Sequence, residues 1–150
     1  MTEPIIDPPL RWGLLSTAAI AANHVVPALQ GAAGHEVAAH SWSHRRVDRI
    51  SPDEFRESIR RTKGLLEDLS GQAVVGYRAP SFSISPGCEW AFDLLLEEGY
   101  RYDSSVFPID LGPGYGYRGA PRDPFWVDRP GGRLLEVPLL TLRFLGQSLP

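Results

Sequence analysis

Two histidines four residues apart, His40 and His44, are the residues whose type and spacing point most directly to chemistry. Their rings can meet only if the backbone between them turns helically, because residues i and i+4 then share a face. On an extended strand they would lie roughly 13 Å apart, too far to share one ion. Neutral imidazole is the commonest protein ligand for zinc and similar divalent metals. The spacing alone leaves two interpretations open, a shared metal or two surface or capping histidines.

The segments around the histidine pair predict an alternation of helices and strands. Residues 17–33 are rich in alanine and predicted to be helical, and residues 35–39 read as a short strand opened by Gly34 and ending at the pair. Residues 51–54, Ser-Pro-Asp-Glu, are typical of a helix start, because the serine can cap, the proline suits the first turn and the glutamate completes a capping box. Apolar residues then recur at helical spacing until Gly71, namely Phe55, Ile59, Leu66 and Leu69.

Further along the chain, residues 73–77 predict a buried strand. A second Ser-Pro start at residues 85–86 predicts a helix that ends at Gly99, and residues 100–103 read as the end of another strand. Late strands are expected at residues 125–127 and 134–142, the second an edge or irregular strand because it contains Pro138.

This order predicts an α/β fold with parallel strands, because strands that alternate with helices form βαβ units. In such folds chemistry sits on the loops at the carboxyl ends of the strands. His40, Arg78 and Asp103 all fall at such ends, so they are predicted to face one site.

Composition excludes several classes of protein. The 150 residues are 43% hydrophobic and 22% charged, as in a soluble globular domain. A net charge of −3, with no basic cluster beyond Arg45-Arg46, argues against nucleic acid as a partner. Cys88 is the single cysteine, which excludes an internal disulfide and an all-cysteine metal site.

No apolar run reaches the roughly 20 residues of a membrane span. The run at residues 12–22 lacks the basic flank of a signal peptide, which leaves a cytoplasmic or a periplasmic location open.

Three motifs together resemble the polysaccharide deacetylases of carbohydrate esterase family 4, which share the NodB-homology fold. They are His-Ser-x-x-His at residues 40–44, Arg-x-Pro at 78–80 and Tyr-Asp-Ser-Ser at 102–105. With the flanking runs 34–37, 76–84 and 100–108, the chain is most similar to deacetylases associated with exosortase and exopolysaccharide loci. The resemblance covers roughly residues 30–145.

This resemblance implies a partial distorted (β/α) barrel that removes acetyl groups from an N-acetylated polysaccharide or oligosaccharide, as a hydrolase of non-peptide carbon–nitrogen bonds. It also implies one divalent metal, usually zinc, bound by two histidines and an aspartate. Carried over by residue, His40 and His44 are the expected metal ligands and Ser41 braces the loop between them. The expected catalytic residues are Arg78, which orients a carboxylate, Ser81, whose neighbouring backbone N–H helps form the oxyanion site, and Asp103, which lines the far side of the groove.

The sequence also departs from the family. The acidic motif that supplies the base and the third ligand is not recognisable upstream of the pair, where Asp7 is the only aspartate, and no histidine follows His44. A full barrel takes about 250 residues, so residues 31–150 are expected to form a partial, truncated NodB-homology domain after a poorly matching segment at residues 1–30. The alternatives are a non-catalytic carbohydrate- or metal-binding remnant of the fold and a hydrolase of non-sugar amides.

Overall fold

The computed structural model describes residues 36–109, 115–144 and 147–149. Within them helix α1 spans Pro52–Ser70 and helix α2 spans Trp90–Glu97, with short 3₁₀ turns at Val47–Arg49 and Pro80–Phe82. The strands are β1 Gly76–Tyr77, β2 Tyr102–Asp103, β3 Phe125–Arg129, β4 Gly132–Glu136, β5 Leu142–Phe144 and β6 Gln147–Leu149. The helix expected at residues 17–33 and the strand start at Gly34 lie outside the described residues.

A four-stranded sheet in the order β1-β2-β4-β3 forms the centre of the described part of the chain. Strands β1, β2 and β4 are parallel, and β3 pairs with β4 as an antiparallel hairpin. Ala39 adds a parallel bridge beside Tyr77, so the chain entering the histidine loop runs in the same direction as β1. The predicted α/β fold with parallel strands is confirmed. The hairpin was not foreseen, and neither was the separate antiparallel pair of β5 and β6.

Helix α1 follows its sequence signals closely. Ser51 accepts a hydrogen bond from the Glu54 backbone N–H at 3.2 Å, and Glu54 accepts one from the Ser51 N–H at 2.9 Å, which completes the predicted capping box. Gly71 ends the helix in the left-handed region, with φ +65°. The buried face comprises Phe55, Ile59, Thr62, Leu66 and Ser70. Leu69 was expected on this face and is instead 41% exposed, because Leu66 and Ser70 already occupy the inward positions of that turn.

Helix α2 is shorter than predicted. It begins at Trp90 rather than at the Ser-Pro pair, because Gly87 has φ +96°, which no α-helix includes, and residues 85–88 form a turn. Its carboxyl end is tied to α1: Arg60 lies 2.7 Å from Glu98, and the Tyr100 hydroxyl donates to the Ile59 carbonyl at 2.8 Å. These contacts fix α1 against the sheet that carries the strand-end loops.

Strand β4 is not an edge strand, and the irregular backbone that Pro138 also predicted follows it at residues 137–141. It lies between β2 and β3, and Pro138 follows its last residue by two positions. The proline therefore removes no donor from the strand itself, while Val137 and Leu139 on either side of it donate to the carbonyls of Asp103 and Val106.

The core fills the space between the helices and one face of the sheet. Phe55 meets the rings of Tyr77 and Trp90 edge-on at 5.7 and 5.5 Å, and Tyr77 meets Tyr100 at 5.8 Å. On the other face, Gly76 leaves the space that the Tyr102 ring fills. Neither described helix combines the length and apolarity that crossing a bilayer requires.

Candidate active site

The two histidines meet in a loop and not in a helical turn. Ser41 and His44 both adopt left-handed conformations, with φ +68° and +55°, and the chain between His40 and His44 is not helical. The two imidazole centroids nevertheless lie 5.0 Å apart, with their planes at 70°. The predicted proximity is therefore present, while the predicted helical turn is wrong. Two of the five residues 40–44 are therefore non-glycine residues with left-handed backbones. Such conformations cost free energy and cluster at functional sites.

Hydrogen bonding fixes the tautomer of His40. Its Nδ1 lies 2.7 Å from the Arg78 carbonyl oxygen, which can only accept, so Nδ1 carries the hydrogen and Nε2 keeps its lone pair. Burial is the main cause that lowers the pKa of His40, the charges of His44 and Arg78 lower it further, and the bond to the Arg78 carbonyl opposes them. A neutral imidazole with one nitrogen tied to a carbonyl is the usual state of a metal-binding histidine.

Ser58 of helix α1 braces the histidine loop. Its hydroxyl accepts a hydrogen bond from the Trp42 N–H at 2.9 Å and lies 3.1 Å from the hydroxyl of buried Ser41. The expectation that Ser41 braces the loop is thus matched by a contact, but Ser58 was missed by sequence reasoning. Its position next to Ile59, at the border of the apolar face of α1, was the signal that could have found it. Arg61 of the same helix stacks over the Trp42 ring at 3.8 Å.

Arg78 is held at the end of β1 by the loop that follows β2. Its Nε donates to the Ser104 carbonyl at 3.0 Å and its Nη2 to the Ser104 hydroxyl at 2.7 Å. Burial lowers the pKa of Arg78, and the nearby carboxyl groups of Asp103 and Glu136 oppose that shift. Because its carbonyl also holds His40, Arg78 connects the histidine pair to the ends of β1 and β2.

Ser81 lies in a tight turn directly after Arg78. Ser81 and Phe82 both have left-handed backbones, with φ +54° and +50°, inside the turn Pro80–Phe82. The Phe82 ring packs on Phe107 at 5.5 Å, which anchors the turn from the far side. Ser81 is half-buried.

Asp103 does not line the groove as predicted. It has no exposed surface, because it lies in β2 between two neighbouring strands and its side chain points into the protein. Its carboxylate accepts from the Ser105 hydroxyl at 2.6 Å and from the Ser105 N–H at 3.2 Å. Burial raises the pKa of Asp103 to about 6, against these hydrogen bonds and that to Glu136, which favour the ionised form.

Glu136 was not identified from the sequence. It is a fully buried carboxylic residue on β4, in register with Asp103. A single glutamate at the end of the apolar run Leu134-Leu135 was the available signal, since an acidic residue inside a buried strand needs a partner.

The donor chemistry of the site fits part of a metal centre. Catalytic zinc usually takes three protein ligands, and the His40–His44 pair offers two imidazoles, one of them held in the required tautomer. Within residues 36–109, 115–144 and 147–149, no group of three or more histidine, cysteine, aspartate or glutamate side chains is arranged to hold a metal.

A profile of the polysaccharide deacetylase family matches residues 17–91, half of the chain. The chain belongs to this family. It is 35% identical over 83 residues to a peptidoglycan deacetylase of Helicobacter pylori and 30% identical over 90 residues to the peptidoglycan deacetylase-like protein FGM2 of Gibberella zeae. These matches cover 55% and 60% of the chain but only 27% and 26% of the two relatives, so they span about a quarter of each relative's length.

Solved structures extend the similarity to most of the chain. The crystal structure of a candidate polysaccharide deacetylase from Mycobacterium smegmatis has a TM-score of 0.62 and 27% identity, covering 85% of this chain and 40% of that one. PuuE allantoinase has a TM-score of 0.58 at 20% identity and covers 85% of this chain and 38% of its own, a likeness of fold alone. The resemblance to the NodB-homology family drawn from the three motifs is thereby confirmed.

Among the family residues expected at the site, the structure brings His40, His44 and Arg78 together. Ser81 follows three residues after Arg78 in a strained turn, and Asp103 lies behind this group rather than beside it. The described site is therefore a histidine pair above a network of serines, an arginine and two buried carboxyl groups.

Proposed function

We propose that this chain forms part of a metal-dependent hydrolase that removes acetyl groups from an N-acetylated polysaccharide by cleaving a non-peptide carbon–nitrogen bond. The observation that carries the proposal is the His40–His44 ring pair, with His40 oriented by the Arg78 carbonyl. Membership of the deacetylase family supports the reaction, and the two relatives named for peptidoglycan support an acetylated glycan as substrate.

In this proposal His40 and His44 hold a divalent metal, with zinc the first candidate. When bound, such an ion lowers the pKa of a water molecule and polarises a substrate carbonyl. The contribution of the chain is to keep Nε2 of His40 unprotonated and aimed, through the bond from Nδ1 to the Arg78 carbonyl. Ser41 and Ser58 keep the loop in the strained conformation that brings the second ring alongside.

Arg78 and Ser81 take the two further roles implied by the family. The guanidinium of Arg78, fixed by two hydrogen bonds to Ser104, orients the carboxylate that acts as general base. The left-handed turn at Ser81 presents a backbone N–H to the oxygen on which negative charge develops. Asp103 acts through Ser105, whose hydroxyl also receives the Ala79 N–H at 2.8 Å, and so sets the start of the Arg78–Ser81 loop from behind.

We further propose that residues 31–150 form a partial NodB-homology domain preceded by a distinct segment at residues 1–30, and that the substrate is an exopolysaccharide or peptidoglycan carrying N-acetylated sugars. The three motifs at residues 40–44, 78–80 and 102–105 lie within residues 31–150, whereas the family profile begins at residue 17, inside the proposed N-terminal segment.

Acetate release from N-acetylglucosamine oligomers tests the activity. We expect release in the presence of added zinc or cobalt, a loss of at least about a hundredfold in His40→Ala, and little change in Asp128→Asn, which alters an exposed residue of β3. A folded preparation that binds zinc through His40 but releases no acetate from any N-acetylated glycan would refute the deacetylase activity.

A second candidate is a metal- or carbohydrate-binding unit without catalysis. It is favoured by the absence of a third imidazole or carboxylate beside the histidine pair among the described residues. Zinc binding lost in His40→Ala, together with glycan binding but no turnover, is the result that would select it.

A further inference from the structure

Two carboxyl groups lie side by side beneath the site, and the proposed function uses only one of them. Asp103 on β2 and Glu136 on β4 are neighbours in the register of two parallel strands. Neither side chain has any exposed surface. Two ionised carboxylates on neighbouring strands would repel each other with no water to screen the charge, so a buried pair of this kind retains a proton.

The hydrogen-bond donors around the pair are unequal. The Asp103 carboxylate accepts from both the N–H and the hydroxyl of Ser105, whereas Oε1 of Glu136 accepts from the Val106 N–H, at 2.9 Å. Oε2 of Glu136 is buried and receives no N–H or O–H donor among the described residues. Donors stabilise an ionised carboxylate, so the negative charge belongs on Asp103 and the proton on Glu136.

The other groups near the pair agree with a single negative charge. Arg78, half-buried at the end of β1, is the cation whose charge acts on both carboxyl groups. Tyr77, the β1 neighbour of Asp103, presents a neutral, buried hydroxyl. One positive guanidinium and one carboxylate then balance within the buried cluster, whereas two carboxylates would leave an uncompensated charge.

Ser105 connects the Asp103–Glu136 pair to the loop that begins at Arg78. Its hydroxyl has one hydrogen, which it donates to Asp103 at 2.6 Å, and it must therefore be the acceptor of the Ala79 N–H at 2.8 Å. Ala79 follows Arg78 directly, and Ser104, the neighbour of Ser105, accepts hydrogen bonds from Nε and Nη2 of the Arg78 guanidinium. A change in the carboxyl pair is therefore expected to shift both Ala79 and Ser104, the two residues whose positions determine the orientation of Arg78.

We infer that Glu136 is a positioning residue of the deacetylase site: as a neutral acid it donates its proton to the Asp103 carboxylate, and the joined pair holds the Arg78–Ser81 loop through Ser105. The inference rests on the proposed function for its effect on turnover. The strong upward shift of the Glu136 pKa, caused first by burial and then by the charge of Asp103, agrees with it.

Two amide substitutions distinguish this arrangement from general packing. Glu136→Gln keeps a donor toward Asp103 and an acceptor for Val106, so we expect kcat/KM within about threefold of the unmodified chain. Asp103→Asn places one amide oxygen among three donors, and we expect kcat to fall by about tenfold or more with KM changed less. Asp128→Asn, an exposed carboxyl on β3, is the matched control. Equal losses in the two buried variants, or a larger loss in Glu136→Gln, would overturn the inference.

Infrared spectroscopy of the folded chain tests the proton directly and does not depend on activity. A buried carboxylic acid C=O band at neutral pH is expected in the unmodified chain and in Asp128→Asn, and its loss is expected in Glu136→Gln. If no acetate is released by any variant, the proposed function fails, while this band, with a higher unfolding midpoint for Glu136→Gln than for Asp103→Asn, would still uphold the carboxyl pair. The absence of the band in the unmodified chain would reject it.

Discussion

Ser58→Ala is the substitution that best separates the geometry of the histidine loop from its chemistry. Among the described residues Ser58 makes no hydrogen bond to either imidazole, yet its hydroxyl accepts from the Trp42 N–H at 2.9 Å and lies 3.1 Å from the Ser41 hydroxyl. Alanine fits the same helix and removes both contacts. The loop then loses the brace that keeps Ser41, with φ +68°, in its left-handed conformation. We expect lower zinc affinity although both ligands remain.

The size of the effect follows from the two lost hydrogen bonds. Each contributes about 0.5–1.5 kcal/mol net, so the loop loses about 1–3 kcal/mol. If the braced conformation is the one that binds zinc, affinity falls in proportion to the fraction of molecules that still adopt it. A loss near 1.4 kcal/mol corresponds to about a tenfold weaker Kd. The free energy of unfolding should fall by a similar amount, since the same bonds stabilise the folded chain.

Zinc affinity can be measured by competition with a chromophoric chelator, alongside urea unfolding of the metal-free chain. Glu57→Gln alters the exposed neighbour on α1 and should leave both quantities unchanged, while His40→Ala should abolish specific binding. If Ser58→Ala binds zinc as tightly as the unmodified chain, and His40→Ala does not bind, the loop is held by something other than this brace and the reasoning from Ser58 is refuted.

Three further results are expected. Gly76→Ala would place its Cβ within the Tyr102 ring, so the free energy of unfolding should fall by about 1–3 kcal/mol in urea, and an unchanged value would contradict the packing described. Arg78→Lys cannot reproduce the paired hydrogen bonds of the guanidinium, so kcat/KM for acetate release should fall on the order of tenfold while the circular dichroism spectrum stays the same. Because burial raises the pKa of Asp103 from 3.8 to about 6, the folded chain binds more protons than the unfolded chain between these values, so the free energy of unfolding should fall as pH rises through this range. Asp103→Asn should reduce this dependence of the unfolding free energy on pH. An equal dependence in both chains would refute its assignment to Asp103.

The sequence predicted the parts of this structure that depend on local chemistry. The capping box at Ser51 and the left-handed stop at Gly71 need only neighbours three or four residues away, and both are present as expected. The parallel direction of the strands followed from their alternation with helices. The Ser-Pro pair at residues 85–86 failed as a helix start because Gly87, the next residue, adopts φ +96°. A strong local signal was overridden by the turn that the next residues make.

Candidate site residues were predicted where the residue type itself indicates a chemical role. They were missed where the role depends on contacts between distant parts of the fold. His40, His44 and Arg78 could be placed together because strand ends in parallel sheets share an edge. Ser58 and Glu136 could not, because their roles depend on which loop faces α1 and which strand lies beside β2. The order β1-β2-β4-β3, with β4 inserted before β3, is what sets Glu136 against Asp103, and no spacing along the chain encodes it.

The brace on the histidine loop nevertheless begins with a local signal. The cap at Ser51 determines where α1 starts, and the apolar positions Phe55 and Ile59 determine which face turns inward. Ser58 lies one position before Ile59, so its hydroxyl falls at the edge of the buried face, where the loop passes. A helix rotated by one residue would carry this hydroxyl about 100° away from Trp42 and expose Ile59 to solvent. The apolar pattern that stabilises α1 therefore also places the Ser58 hydroxyl against the histidine loop. In this way the packing of α1 in the core contributes to the geometry of the two imidazoles.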